Sequence, residues 1–331
     1  MVDSIKRLSI EYLTKEVNDM DNLKTILTNH YDIDMVNYRK QQGGWAALAY
    51  EVSDETKKYF LKAYEKSRAS TPKLTKRIEQ YVPILIWLNN NSNLQGKIPT
   101  PYLTNTGIYL CEDEDNIYLL YDYIEGETIG DKELTGSQIQ QLTYLISELH
   151  VYGEDIPFDT NAIKEDYHVP FLEPLRSIVD NRNANVSIDV RKLITMYRYV
   201  LKETIDRVEI LSELLKTKNG RLALCHTDLH YWNLMQSAQL MLIDWEGLKL
   251  APVEADMMFL VDKPYFEAFL SKYQKRHPHY SLDQDALEFY QKRRRLEDIW
   301  EFTEQLLYDN PDSQERVTVI DYLKEELKSL G

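Results

Sequence analysis

Cysteine is nearly absent. Cys111 and Cys225 are the only two in 331 residues, too few for the disulfide framework of a small secreted domain, so a reducing cytoplasm is the expected compartment. No basic stretch followed by an apolar one opens the sequence, and no export signal is expected. Long apolar runs are also missing: the longest, Val82–Leu88, has seven residues, against the roughly 18 that a membrane-spanning helix requires. No membrane partner is expected. Positive charge is scarce, with 39 Lys and Arg against 54 Asp and Glu, a balance of −15. That field repels phosphate backbones and anionic lipid and attracts cations, so nucleic acid is not an expected partner and a small cationic molecule is. The oligomeric state has no signature, and no repeat or low-complexity tract occurs.

What is present is ordinary globular material, 43% hydrophobic and 28% charged, in a length that suits two lobes. The first thirty residues carry apolar positions at helical spacing. From Asp34 to Ala63 the pattern turns β-like, with runs at Met35–Arg39, Trp45–Val52 and Tyr59–Ala63 separated by turn residues. Pro72 opens a helix whose stripe, Leu74, Ile78, Tyr81, Val82, Leu85 and Leu88, continues past a kink expected at Pro83. Ile108–Cys111 and Ile117–Tyr123 read as a further hairpin, giving five strands with one helix inserted. Beyond Gly126 helical periodicity dominates, apart from a compact β-like stretch near Leu222–Leu250. Residues Asp155–Asn185, with three prolines and weak periodicity, read as a partly irregular insertion rather than a core element. The expectation is an α+β fold with an N-terminal antiparallel-sheet lobe, residues 1–125, and a larger, mainly helical C-terminal lobe, 126–331.

The chemistry concentrates in Leu224–Asn233, which contains His226-x-Asp228-x-x-x-x-Asn233 and is followed by an apolar strand ending in Ile243-Asp244-Trp245. Phosphoryl transfer needs a carboxylate near the attacking hydroxyl and oxygen ligands that hold Mg²⁺ against the nucleotide phosphates; Asp228, Asn233 and Asp244 are the right residue types for both. Upstream, Lys62 on the third strand suits a phosphate cation and Glu79 on the following helix an ion-pair partner for it. Taken alone, these two would be an ordinary surface lysine and a solvated glutamate. Gly43-Gly44 between the first strands lets backbone approach phosphate, or is a plain hairpin turn. Tyr121–Gly126 ends the sheet half, where exposed backbone suits an adenine edge or simply links two lobes. His226 and His230 lie four apart, but on a loop, where helical same-face geometry does not apply, so no zinc site is expected.

The order of these parts, with Gln42-Gly43-Gly44, Leu224-Cys225-His226 and Ile243-Asp244-Trp245, resembles the aminoglycoside phosphotransferases, which share the protein-kinase-like fold, and most of all their spectinomycin-modifying branch. His30–Asp34, Leu250-Ala251-Pro252, Asp256, and Arg294 with Glu297-Asp298-Ile299 extend the resemblance over residues 20–325. It implies that Asp228 is the catalytic carboxylate, Asn233 and Asp244 the Mg²⁺ ligands and Lys62 the phosphate cation. Asp122 and Ile124 would give backbone contacts to adenine, and His226 and His230 would shape the loop. ATP is the implied donor, with GTP compatible with the same residues. Trp45-Ala46-Ala47 after the glycines and Pro83 within the glutamate helix depart from the family pattern.

Between Asp244 and Asp256 there is no room for the peptide-docking and activation segment of a protein kinase. The expected acceptor is therefore a small molecule: an aminoglycoside or aminocyclitol antibiotic such as spectinomycin, its ammonium groups met by Glu297 or Asp298. Glu297, Asp298, Glu301 and Glu304 recur at helical spacing, which is also what a solvated acidic face looks like. Two alternatives remain open: a kinase of another small alcohol, choline-like or sugar, and a nucleotide-binding pseudokinase. The joint presence of Lys62, Asp228, Asn233 and Asp244 speaks against the second.

Overall fold

The computed structural model describes residues 20–41, 47–309 and 311–330. Gly43 and Gly44 lie outside the described residues. The chain divides into two compact units. The first holds the described residues up to Ser67, Thr71–Ile86 and Pro99–Glu125; the second holds Arg68–Ser70, Trp87–Ile98 and the chain from Gly126 onward.

In the first unit a helix, α1 (residues 20–31), precedes strands β1 (Asn37–Gln41), β2 (Leu48–Ser53) and β3 (Lys58–Glu65). Helices α2 (Thr71–Thr75) and α3 (Ile78–Asn91) follow, then β4 (Cys111–Glu112) and β5 (Asn116–Asp122). The strands form one antiparallel sheet in the order β1-β2-β3-β5-β4. Alternation along β3 buries Tyr59, Leu61 and Ala63 against Leu23, Ile26 and Leu27 of α1, and leaves Phe60 and Lys62 half-buried on the other face. Lys62 pairs in register with Ala49 of β2 and Leu119 of β5, so it sits on a central strand held on both sides.

The single helix expected from Pro72 is two. Thr75 turns its hydroxyl back onto the Thr71 carbonyl at 2.9 Å, a bond that competes with helix propagation and bends the chain, and Lys76 and Arg77 form a turn before α3 begins. Helix α3 runs through Pro83 without a break, although proline supplies no N–H to the carbonyl four residues back.

The second unit contains α4 (Gly136–Leu149), α5 (Leu172–Val179), α6 (Ile188–Met196), α7 (Arg198–Lys216), α8 (Glu254–Met257), α9 (Phe266–Arg276), α10 (Gln284–Tyr308) and α11 (Ser313–Leu330). Short strands β6 (Glu127–Thr128), β8 (Leu234–Gln236) and β9 (Leu240–Leu242) make one ribbon; β7 (Ala223–Cys225) and β10 (Lys249–Ala251) make another. The expected irregular insertion is in part a core element, since Leu172, Leu175, Ile178 and Val179 of α5 are buried in the main cluster with α7 and α10. Pro174 obscured this in the sequence, yet it sits in the first turn of α5, where backbone N–H groups have no helical partner to lose. Among the described residues no helix is long and apolar enough to cross a membrane.

Helix α10 positions the site. Asp283 caps it, accepting from the N–H groups of Asp285 (2.9 Å) and Ala286 (3.2 Å). Its buried stripe is Ala286, Phe289, Tyr290, Leu296, Ile299, Trp300 and Thr303. Arg293 falls in that stripe and is neutralised by Glu165, whose fully buried carboxylate takes Arg293 Nη1 at 3.1 Å, Lys249 Nζ at 3.0 Å and the Tyr167 N–H at 3.0 Å.

Candidate active site

Asp228 lies on the loop between β7 and a single 3₁₀ turn, Tyr231–Asn233. The loop is anchored from beneath by Asp256 of α8, which is completely buried. One Asp256 oxygen accepts the Thr227 N–H at 2.7 Å, and the other accepts the His226 N–H at 3.0 Å and lies 3.0 Å from His150 Nε2. This grip lets Thr227 hold a left-handed backbone, φ 66°, a conformation that is unfavourable for a β-branched residue unless its surroundings enforce it. His226 is buried beside Trp245, its Nε2 donating to the Ile243 carbonyl at 2.8 Å and its Nδ1 accepting the Asp228 N–H at 3.3 Å. The histidine therefore ties the Asp228 loop to the strand that delivers Asp244, and both of its nitrogens are used in doing so.

Gly247 closes the same cage. A Cβ there would stand 2.7 Å from Thr227 Oγ1 and 2.8 Å from the His226 carbonyl oxygen, so only glycine permits the approach at which Thr227 Oγ1 donates to the Gly247 carbonyl at 2.7 Å. Asp244, two residues past β9 and just before a 3₁₀ turn, holds a left-handed conformation, φ 62°. Asn233 is buried, and its amide nitrogen donates to both the Asp228 carbonyl oxygen (2.8 Å) and Asp228 Oδ2 (2.9 Å). Those two bonds fix the amide orientation and do not use Oδ1. Asn233 Oδ1 and the Asp244 carboxylate are hard oxygens, a donor type that suits Mg²⁺ rather than a soft metal.

The Asp228 carboxylate is about one-third exposed. Besides Asn233 it meets His230 Nε2 at 3.3 Å on Oδ2 and Arg294 Nη1 at 2.6 Å on Oδ1. Burial pushes its acidity one way, but the His230 bond and the Arg294 charge push harder the other, and the carboxyl is held well below the usual carboxylate range. It is an ionised acceptor at any working pH. Arg294 in turn binds Asp298 through Nε, 2.9 Å to Oδ1. Asp298, unlike Asp228, is pushed up to about 7, by burial first and then by the like charges of Glu301, Glu326 and Glu297, against the pull of Arg294.

Of the residues singled out in the sequence, Asp228 and Asn233 are in direct contact, and Asp298 reaches Asp228 through Arg294. Glu297 is half-buried one position before Asp298 on α10. In the sheet unit, Lys62 Nζ lies 5.4 Å from the Tyr64 ring centre, Glu79 accepts the Tyr109 N–H at 3.1 Å, Asp122 ends β5 and accepts the Tyr102 hydroxyl at 2.6 Å, and Ile124 lies in the segment after β5. Sequence reasoning missed the Arg294 contact with Asp228, the closeness of Gly247 and the role of His150. Each joins residues at least twenty apart; Arg294 was in view through the resemblance, within the run Arg293-Arg294-Arg295, but its partner was not. Among the described residues one trio of metal-ligating types, His150, Cys225 and Asp256, comes together. It is a hydrogen-bonded anchor, with His150 Nδ1 on the Tyr273 hydroxyl at 2.9 Å and Nε2 on Asp256.

No curated protein sequence matches the chain. Among solved structures it is similar to a spectinomycin phosphotransferase, APH(9)-Ia, in complex with ADP and spectinomycin, with TM-score 0.70 at 22% identity over 94% of this chain and 97% of that one. It is similar also to a microcompartment-associated aminopropanol kinase (TM-score 0.62, 14% identity, 94% and 96% covered) and to the GDP complex of an aminoglycoside 2'-phosphotransferase-IIIa (0.60, 14%, 94% and 99%). These likenesses establish the two-lobed kinase-like fold expected from the sequence. The family model described as "Phosphotransferase enzyme family" matches residues 38–295, and the chain belongs to that family: it is a small-molecule phosphotransferase.

Proposed function

We propose that this enzyme transfers the γ-phosphoryl group of ATP to a hydroxyl of a small cationic aminocyclitol or aminoglycoside, spectinomycin being the first acceptor to try. The observation that carries the catalytic part is the Asp228 carboxylate, kept ionised and oriented by Asn233, His230 and Arg294 on a loop anchored by Asp256. In phosphoryl transfer the bond to the leaving group is largely broken before the new one forms, so the acceptor hydroxyl needs aim more than a strong base. A carboxylate of depressed basicity suits this role, because it accepts the hydroxyl's hydrogen bond, points the oxygen at phosphorus and takes the proton as the new ester bond forms.

Asn233 Oδ1 and Asp244 would hold Mg²⁺, which supplies charge neutralisation for the phosphates when bound. On the sheet unit, Lys62 would pair with the α- and β-phosphates, Glu79 would hold Lys62, the Gly43-Gly44 backbone would approach phosphate, and the Asp122 and Ile124 backbone would meet adenine. For the acceptor, the 22% identity to a spectinomycin enzyme is support for the fold only. What favours a cation is the run of acids on α10, one of which, Asp298, is bridged to Asp228 by Arg294, together with the −15 net charge.

Asp228→Asn should lower kcat by about 10²–10⁴-fold while nucleotide affinity is retained. Assays with spectinomycin, several aminoglycosides, an amino alcohol and an uncharged sugar should give the highest kcat/KM for a cationic acceptor. Full turnover by the variant would overturn the catalytic assignment, and preference for the uncharged sugar would overturn the acceptor class.

A further inference from the structure

We infer that Arg294, resting on the catalytic reading of Asp228 above, is a positioning residue of the reaction: it aims Asp228 at the acceptor hydroxyl and keeps the acceptor's ammonium group from pairing with that carboxylate. The geometry is two-ended. Nη1 donates to Asp228 Oδ1 at 2.6 Å, Nε reaches Asp298 Oδ1 at 2.9 Å, and the guanidinium stands 5.8 Å from the Phe259 ring centre. An ionised carboxylate offers about four acceptor sites. On Asp228, Oδ2 takes the Asn233 amide and faces His230, and Arg294 takes one site on Oδ1, which leaves a site on Oδ1 for the hydroxyl.

The arginine is not a loose surface side chain. Its neighbour Arg293 is locked into the buried stripe of α10 by Glu165, so the turn that carries Arg294 is pinned from behind. A lysine could not replace it, because a single ammonium lacks the fork that lets Nε and Nη1 serve different carboxylates. The charge has a second consequence. A cationic acceptor is drawn to every carboxylate in the unit, and Asp228 would be the worst place for its ammonium, since that would consume the group meant for the hydroxyl. Arg294 already occupies that electrostatic position, with Asp298 as its own partner, so the ammonium is directed to the acidic face of α10 that carries Glu297 and Glu301 rather than to Asp228.

The test is steady-state kinetics with spectinomycin, or with whichever cationic alcohol the wild type uses best, on Arg294→Ala, Arg294→Lys, Asp228→Asn and the Asp228→Asn/Arg294→Ala double variant, each first checked for a cooperative thermal transition. Arg294→Ala should lower kcat by roughly 10–100-fold, the scale of a misplaced reacting group, with acceptor KM unchanged or lower as the ammonium binds unproductively at Asp228. Arg294→Lys keeps the charge but not the fork, so acceptor KM should stay near wild type while kcat stays low; it decides the matter should the alanine variant not fold. In the Asp228→Asn background, removing Arg294 should cost nothing further, because its effect runs through Asp228. Wild-type kcat in either single variant, or losses that add in the double variant, would overturn the inference. Wild-type turnover in Asp228→Asn would instead overturn the catalytic reading on which it rests.

Discussion

Asp298 ionises late because burial and three neighbouring acids outweigh one arginine, and this couples its protonation to stability. With the carboxyl raised from 3.8 to about 7, the folded protein binds a proton between those values that the unfolded chain does not, so this stabilisation is full at low pH and is lost as pH rises through 7. Asp298→Asn removes the coupling. Urea unfolding should find that variant more stable than wild type by about 1–3 kcal/mol at pH 8, with the advantage gone near pH 4; an equal difference at both pH values would show that the carboxyl is not raised. Gly247 is the other residue with a sharp requirement. A methyl group there meets the His226 carbonyl, which cannot swing aside, so Gly247→Ala should reduce kcat and lower stability by about 1–3 kcal/mol, read by turnover and by a denaturation midpoint. At this scale Asp228 and Asn233 were legible in the sequence because their spacing is that of one local turn. Gly247 and the Arg294 contact were not, because nothing in a run of residues says which distant atoms will close upon it.

Among elements, the sheet was readable from its alternation: Tyr59, Leu61 and Ala63 are buried and Phe60 and Lys62 are not, as period-two patterning requires. Helix α10 was readable from its stripe, and α5 was not, since Pro174 reads as a breaker unless its first-turn position is known. The split between α2 and α3 was hidden for a similar reason, because a threonine that bonds back to its own helix looks in sequence like any other. What α10 concealed is that one position of its buried stripe is charged. Glu165 makes that possible, and Glu165→Gln would leave Arg293 and Lys249 facing a neutral amide in a buried place. Removing one partner of such a group costs about 3–5 kcal/mol, so the variant should show a much lower urea midpoint. A midpoint unchanged from wild type would mean that α10 is held by its apolar contacts alone.

Over the whole molecule, the sequence changes from period two to helical periodicity near Gly126, whereas the passage of Arg68–Ser70 and Trp87–Ile98 into the second compact unit depends on contacts that no local pattern encodes. Net charge acts at this scale too, and on the two substrates in opposite senses. A balance of −15 attracts a cationic acceptor over a distance set by ionic strength, with a screening length near 30 Å at ~0.01 M salt and under 10 Å at ~0.3 M, and it repels an anionic nucleotide over the same range. With nucleotide saturating, raising salt between those limits should therefore lower kcat/KM for a cationic acceptor several-fold, chiefly through KM, because the long-range field acts on encounter and the contacts to Asp228 do not depend on it. For the nucleotide, measured at saturating acceptor, the same salt should leave kcat/KM unchanged or raise it. An uncharged acceptor should show neither trend, which makes it the control. If the cationic and uncharged acceptors respond alike, the acidic surface plays no part in choosing the substrate, and selection rests entirely on the short-range acids of α10.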